Sequence, residues 1–202
     1  IIVWDLSHAI GSIEIDLKET QTKIALGCSY KFMNGGPGSP AFLFIQKKLQ
    51  DLLHNPIKGW FGHQNPFNFA PNYHPDSGIN RFASGTTQIL SMQAMEPGIE
   101  ITLEAGIKNL REKSIGLSEF FLSGIKEELI PLGFKIQSPS NSDLRGSHLT
   151  ISHPASWQIC QALIQGELNA LKVIPDYRPP NLLRFGITPL YTSYENLFRV
   201  LI

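Results

Sequence analysis

The chain has 202 residues, 42% hydrophobic and 17% charged, and its 17 Lys and Arg balance 17 Asp and Glu. That length can bury a core in one large domain or two modest ones. The even charge, without a lysine-rich run, argues against nucleic acid as a partner, and no run of about eighteen apolar residues is present to cross a membrane.

Two cysteines, Cys28 and Cys160, are too few for a disulfide scaffold or a zinc cluster, so a soluble protein of a reducing, cytoplasmic compartment is expected. Ile1-Ile2-Val3-Trp4 opens a short apolar run to Leu6 that has no initiator Met and no features of a signal peptide. It reads as a strand buried on both faces, and a chain that begins inside such a strand is expected to be part of a larger protein. Ile24 to Gly27 and Ala41 to Ile45 are two further strands of the same kind. From Lys58 to Gly85 the composition shifts to Gly, Pro, Asn, His and aromatics, which marks a long ordered loop of functional character.

Gln88 to Glu96 looks helical, and Pro97-Gly98 is expected to interrupt it. Leu103, Ile107, Leu110, Leu117, Phe121 and Ile125 then form the apolar stripe of a long helix closed by Pro131 and Gly133. Strands follow at Phe134 to Gln137 and His148 to Ser152, then a helix from Pro154 to Glu167. Strands at Leu171 to Ile174 and Leu183 to Ile187 and a helix from Tyr194 to Ile202 complete the chain. The order predicts an α/β part over residues 1–105 and a smaller α+β domain over 106–202.

Two residues carry most of the chemistry. Asp5 ends the first strand, where open α/β sheets bind their ligands, and a carboxylate buried there needs a cation or a protonated nitrogen as partner. A helix cap or a structural hydrogen bond is the plainer reading of Asp5 alone. Lys31 follows the second strand between Tyr30 and Phe32, where partial desolvation favours the neutral amine of Schiff-base chemistry. The Gly35-Gly36-Pro37-Gly38 run after it permits a tight turn, but its spacing is not that of a phosphate loop. An acid to keep a pyridinium protonated and a lysine to bind an aldehyde are together the pair that pyridoxal phosphate requires.

Four segments then resemble kynureninase in that family's order: Trp4-Asp5-Leu6-Ser7-His8, Tyr30-Lys31-Phe32-Met33-Asn34-Gly35-Gly36-Pro37-Gly38, Gly59-Trp60-Phe61-Gly62-His63, and Leu183-Arg184-Phe185-Gly186-Ile187-Thr188-Pro189-Leu190-Tyr191. The resemblance implies the carboxyl-terminal half of a fold-type-I, class-V pyridoxal-phosphate enzyme: the later part of a large, mainly parallel-sheet domain and a small carboxyl-terminal domain. Cysteine desulfurases of this class usually carry His where Tyr30 stands and lack the Trp60 segment.

By that resemblance Lys31 carries pyridoxal phosphate, Asp5 pairs with its ring nitrogen and His8 lies beside it. Tyr30 bonds the phosphate and relays a proton, and Trp60 offers its indole N–H to the phosphate from a partner subunit. Thr86 lies near phosphate and substrate, and Arg184 grips the substrate α-carboxylate, a task suited to its planar fork. The implied reaction cleaves L-kynurenine, or its 3-hydroxy form, to anthranilate or 3-hydroxyanthranilate and L-alanine, in tryptophan catabolism and NAD biosynthesis. The amino-terminal half of the enzyme and a second copy, as a homodimer, are the implied partners. Other class-V chemistry, desulfuration or transamination, and an inactive remnant serving as an assembly partner are the alternatives.

His63, His74, His148 and His153 lack a metal-ligand spacing, and Cys28 reads as a small buried hydrophobe. His63 closes a family segment and so has a place at the site. Arg145 to His148 reads as structural or as lining of the substrate channel.

Overall fold

A computed structural model describes residues 1–166 and 172–202, which form two compact units. The first unit comprises Ile1–Ile10 and Ile15–Ile101, the second Gly11–Glu14 and Thr102–Ile202.

The first unit holds a three-stranded sheet of order β1-β2-β3, with β1 at Val3–Asp5, β2 at Ile24–Cys28 and β3 at Ala41–Ile45. β1 runs parallel to β2, and β3 returns antiparallel. Branched and aromatic residues suit these pleated positions. Ala25 is fully buried on the face it shares with Phe42 and Phe44, whereas the cross-strand pair Leu26 and Leu43 is exposed on the other face. The double-sided burial expected of these strands is therefore not found. β1 departs furthest, with Ile1 83% and Trp4 51% exposed. On the Leu26 and Leu43 face only the end of β3, at Ile45, is buried, so its cover is partial, and β1 pairs with β2 alone among the described residues.

A short helix, α1 (Lys47–Gln50), leads into the loop region, which contains three 3-10 turns at Trp60–Gly62, Pro66–Asn68 and Gly78–Phe82. Arg81 anchors it. Its buried guanidinium pairs with Asp51 at 3.0 Å and donates to the carbonyls of Asp51, Leu53 and Asp76. Those bonds satisfy backbone oxygens that a loop would otherwise bury unpaired.

Helix α2 (Ile89–Ala105) runs straight through Pro97-Gly98, where the sequence predicts an interruption. A Cβ on Gly98 would lie 2.2 Å from the Asn34 carbonyl oxygen, so the helix packs there backbone against backbone. Tertiary contact thus outweighs local propensity. The break falls at Gly106 instead, whose φ of +78° is a conformation that glycine adopts without strain. Leu103 consequently belongs to α2, and the apolar stripe belongs to α3 (Ile107–Gly124). A π turn at Ile125–Leu129 and a 3-10 turn at Ile130–Leu132 end that helix, and Gly133 caps it in the left-handed region.

The second unit is built on an antiparallel sheet of order β4-β5-β7-β6: β4 Lys135–Ile136, β5 His148–Ser152, β6 Asp176–Arg178 and β7 Leu182–Gly186. Helices α4 (Ser156–Gln165) and α5 (Tyr194–Leu201) complete it. Leu117, Phe121 and Ile125 pack on Leu149, Ile151, Leu183 and Phe185, with the Phe121 and Phe185 rings edge to face at 5.4 Å. The predicted strand at Leu171 to Ile174 is not seen where it can be checked: Lys172 to Ile174 are irregular, and Leu171 lies outside the described residues. The strand there begins later, at Asp176. Glu167, the expected end of α4, also lies outside them.

Candidate active site

Asp5 closes β1 and pairs in register with Leu26 of β2. Its Oδ1 accepts the Ser7 backbone N–H at 2.9 Å, an Asx turn that swings the chain out of the sheet. Leu6 N–H bonds the Leu26 carbonyl at 2.8 Å, which ties the turn to β2. Gly27 makes the close approach possible, since a Cβ there would lie 2.7 Å from the Phe42 ring and 3.2 Å from Ser7 N. Hydrogen bonds from Ser7, side chain and then backbone, together with the charges of Lys31 and His8, hold the Asp5 carboxyl below its usual range. The expected burial of Asp5 is absent, because the edge strand that carries it is itself exposed.

Lys31 lies just past the end of β2, in a turn closed by Asn34 N–H on the Lys31 carbonyl at 2.9 Å and Gly35 N–H on Ser29 at 3.0 Å. Phe32 is buried, Tyr30 is half-exposed, and the Lys31 ammonium lies 5.4 Å from the Tyr30 ring centroid. Asn34, at φ +57°, packs under Gly98 of α2, so the helix braces this turn. Asp5, His8, Tyr30 and Lys31 are thus gathered at the carboxyl ends of two neighbouring parallel strands. Cys28 is half-buried here rather than fully buried, its Sγ 3.9 Å from the Ser7 carbonyl.

Trp60 and Gly85, the neighbour of Thr86, lie near each other in the loop region. A Cβ on Gly59 would lie 1.5 Å from the Ser84 carbonyl oxygen, and one on Gly85 would lie 4.0 Å from Trp60 Nε1. Gly59 therefore packs against the Ser84 backbone, and Gly85 leaves room beside the Trp60 indole nitrogen. No hydrogen bond, ion pair or ring contact joins Trp60 or Thr86 to Asp5, Tyr30 or Lys31 among the described residues. His63 serves its own loop, with Nδ1 accepting the Asn65 N–H at 2.9 Å and the ring edge-on to Tyr73. A cleft of about 400 Å³ between Leu53, Lys58, Tyr73 and Arg81 contains none of the expected site residues.

In the second unit, Arg184 sits mid-strand in β7, on the face opposite Leu183 and Phe185. Thr150 and Asp176 are its cross-strand neighbours. Its Nη2 donates to Asp176 Oδ2 at 2.6 Å, and Arg178 Nε donates to the same oxygen at 2.8 Å. Burial works against the charge on Asp176, but the Arg178 hydrogen bond and the charges of Arg184 and Arg178 prevail and hold its carboxyl below the usual range. Burial first, then Arg184, lowers the His148 imidazole below its ordinary value. Arg145 has a structural role: it pairs with Glu119 and donates to the carbonyls of Pro139 and Ser140.

Sequence reasoning missed Ser7, Gly98 and Asp176. The Asp5-Leu6-Ser7 and Asp176-Tyr177-Arg178 spacings carry a signal for the first and last, an acceptor two residues from its donor. Nothing local marks Gly98, whose partner lies far along the chain.

Residues 110–201 match the family model described as the kynureninase C-terminal domain. Kynureninase of Pseudomonas fluorescens is 37% identical over 98% of this chain and 46% of that protein. Kynureninase of Burkholderia mallei is 38% identical over the same shares. The chain thus spans about half the length of the curated relatives it matches. Among solved structures, a cysteine desulfurase of Thermococcus onnurineus superposes with a TM-score of 0.82 at 17% identity, over 100% of this chain and 50% of that one. The cystine C-S lyase C-DES gives 0.76 at 14% identity, over 96% and 49%. A C-DES mutant in that set has glycine covalently linked to its pyridoxal-phosphate cofactor. The fold is that of the fold-type-I pyridoxal-phosphate enzymes, as the sequence led us to expect. Residues 110–201 are thus similar to the kynureninase C-terminal domain, and the chain as a whole is similar to the carboxyl-terminal part of kynureninase.

Proposed function

We propose that this chain is the carboxyl-terminal part of a pyridoxal-phosphate-dependent hydrolase that cleaves L-kynurenine, or 3-hydroxykynurenine, to the anthranilate and L-alanine. The observation that carries the reading is the placement of Asp5 and Lys31 at the carboxyl ends of adjacent parallel strands, near enough for the lysine charge to act on the carboxylate. That donor set fits the cofactor: an ionised acid for the ring nitrogen and an amine for the aldehyde. When bound, the cofactor supplies an electron sink for negative charge at the substrate α-carbon.

The chain's own residues do the rest. Asp5, held ionised by Ser7, Lys31 and His8, keeps a protonated nitrogen opposite it. Lys31 would hold the cofactor through its aldehyde group and, once the substrate amine has displaced it, its free amine would take the α-proton. Tyr30 hydrogen-bonds the phosphate and hands a proton to the leaving carbon. The Trp60 indole, from the partner subunit of a homodimer in our reading, and the Thr86 hydroxyl offer phosphate donors. Arg184 holds the α-carboxylate. Water adds its oxygen to the substrate γ-carbon, which leaves as the anthranilate carboxylate, and the β-carbon gains a proton to give alanine.

In this reading the amino-terminal half of the enzyme covers the exposed face of the sheet, and the enzyme acts in the cytoplasm in tryptophan catabolism and NAD biosynthesis. The test is to load the complete protein with pyridoxal phosphate, add L-kynurenine and follow anthranilate fluorescence. Product formation is expected. A loaded protein that yields none overturns the substrate assignment.

A further inference from the structure

Arg184 is not a free side chain waiting for a ligand. It stands opposite Asp176 in the β6–β7 register, and a 2.6 Å charge-assisted bond ties one guanidinium nitrogen to Oδ2. Arg178 holds the same oxygen from its other side at 2.8 Å. Two guanidiniums share one carboxylate, so the three side chains carry a surplus positive charge that an incoming carboxylate completes. Arginine has five N–H donors, and the single bond to Asp176 leaves enough for a two-point grip on a second acid. A long flexible side chain loses rotamer freedom when it binds, and a group already pinned loses less. The Arg184 side chain is only 24% exposed, and its sheet neighbour His148 keeps a lowered pKa and so adds no charge at neutral pH.

We infer that Asp176, itself braced by Arg178, is the positioning residue that pre-orients Arg184 to receive the α-carboxylate of an amino-acid substrate. The inference rests on the proposed reading of Arg184 and adds to it the residue that aims it. An ordinary surface ion pair of the same residues would contribute little to stability and would leave substrate affinity alone.

Three measurements on the complete, cofactor-loaded protein test it, using the Asp176→Ala, Asp176→Asn and Asp176→Glu variants. For Asp176→Ala, KM for L-kynurenine should rise about tenfold while kcat changes less than about threefold, the pattern of lost uniform binding. L-Alanine binding by calorimetry should weaken by about the same factor, while kynuramine, the same amine without the carboxylate, should bind as before. Glu should restore most of the affinity and Asn, similar in shape but uncharged, only part of it; Asn also serves if Ala fails to fold.

An unchanged KM and unchanged L-alanine affinity in Asp176→Asn would overturn the inference and leave the substrate reading standing. Equal weakening of L-alanine and kynuramine would overturn it as well, because the effect would not be at the carboxylate. A wild type that binds L-alanine through its carboxylate yet does not cleave L-kynurenine would overturn the substrate reading, and the L-alanine data would still judge Asp176. A wild type that binds neither ligand overturns both.

Discussion

At position 27 there is room for hydrogen and nothing more. A Cβ would press on the Phe42 ring and on Ser7 N, and the turn it would displace is the one that holds Asp5. Gly27→Val is therefore expected to cost about 1–3 kcal/mol by overpacking, measured as a lower urea midpoint at constant m-value. In the complete protein it should also weaken cofactor retention. Tyr30 is half-exposed, with its ring 5.4 Å from the Lys31 ammonium, so its phenol is open to other partners. Tyr30→Phe keeps the ring and removes the hydroxyl, and kcat for L-kynurenine cleavage should fall about a hundredfold if that hydroxyl relays a proton. Unchanged turnover would favour another class-V reaction. Asp5 and Lys31 were legible in the sequence because each ends an apolar run. The exposure of Asp5 was not, because burial depends on what lies over a strand rather than on the strand itself, whereas Lys31 is half-buried, in keeping with its expected partial desolvation.

Helix α2 gives the clearest conflict between local and tertiary terms. By propensity alone Gly98→Ala should stabilise the helix by about 1 kcal/mol. The packing predicts the opposite sign, because the new methyl would lie 2.2 Å from a backbone oxygen that has no side-chain freedom with which to yield. We expect net destabilisation, read by chemical denaturation, together with disturbance of the Lys31 turn, since Asn34 is in that turn. A stabilised Gly98→Ala would refute this account of why the helix passes through Pro97. The strand at His148–Ser152 and the helix from Tyr194 were plain in the sequence, the latter opened by a Ser193–Asn196 capping box. The strand at Asp176 was placed too early, because Asp and Arg hide its alternation behind an ion pair.

For the whole molecule, pH and solubility are the informative variables. His148 has a folded pKa below its ordinary value, because burial and Arg184 oppose its charge. The unfolded chain then binds the proton more readily, so stability is full above about pH 6.5 and falls as pH drops from there through the folded pKa. Asp176, with its carboxyl held low, adds a second loss at more acid pH, below its ordinary 3.8. Thermal midpoints across pH 4–8 should show the first decline, and Arg184→Gln should shrink it; a flat profile would contradict the histidine assignment. β1 is exposed and apolar with one unpaired edge, so the 202-residue chain alone should self-associate. Val3→Lys should reduce light scattering without lowering the midpoint.

The sequence by itself indicated most element types and the likeness to kynureninase, and it singled out Asp5, Lys31 and Arg184 as candidates. Those signals are local: apolar runs of strand length, a helical stripe, and short segments whose residue types do one job. Only the tertiary structure decided which faces are covered, where the long helix breaks, that glycines 27 and 98 are contact points, and that Asp176 holds Arg184. Most of these turn on groups far apart along the chain that meet in space, such as Gly98 and Asn34, while Asp176 and Arg184, eight residues apart, meet only because β6 and β7 pair in register.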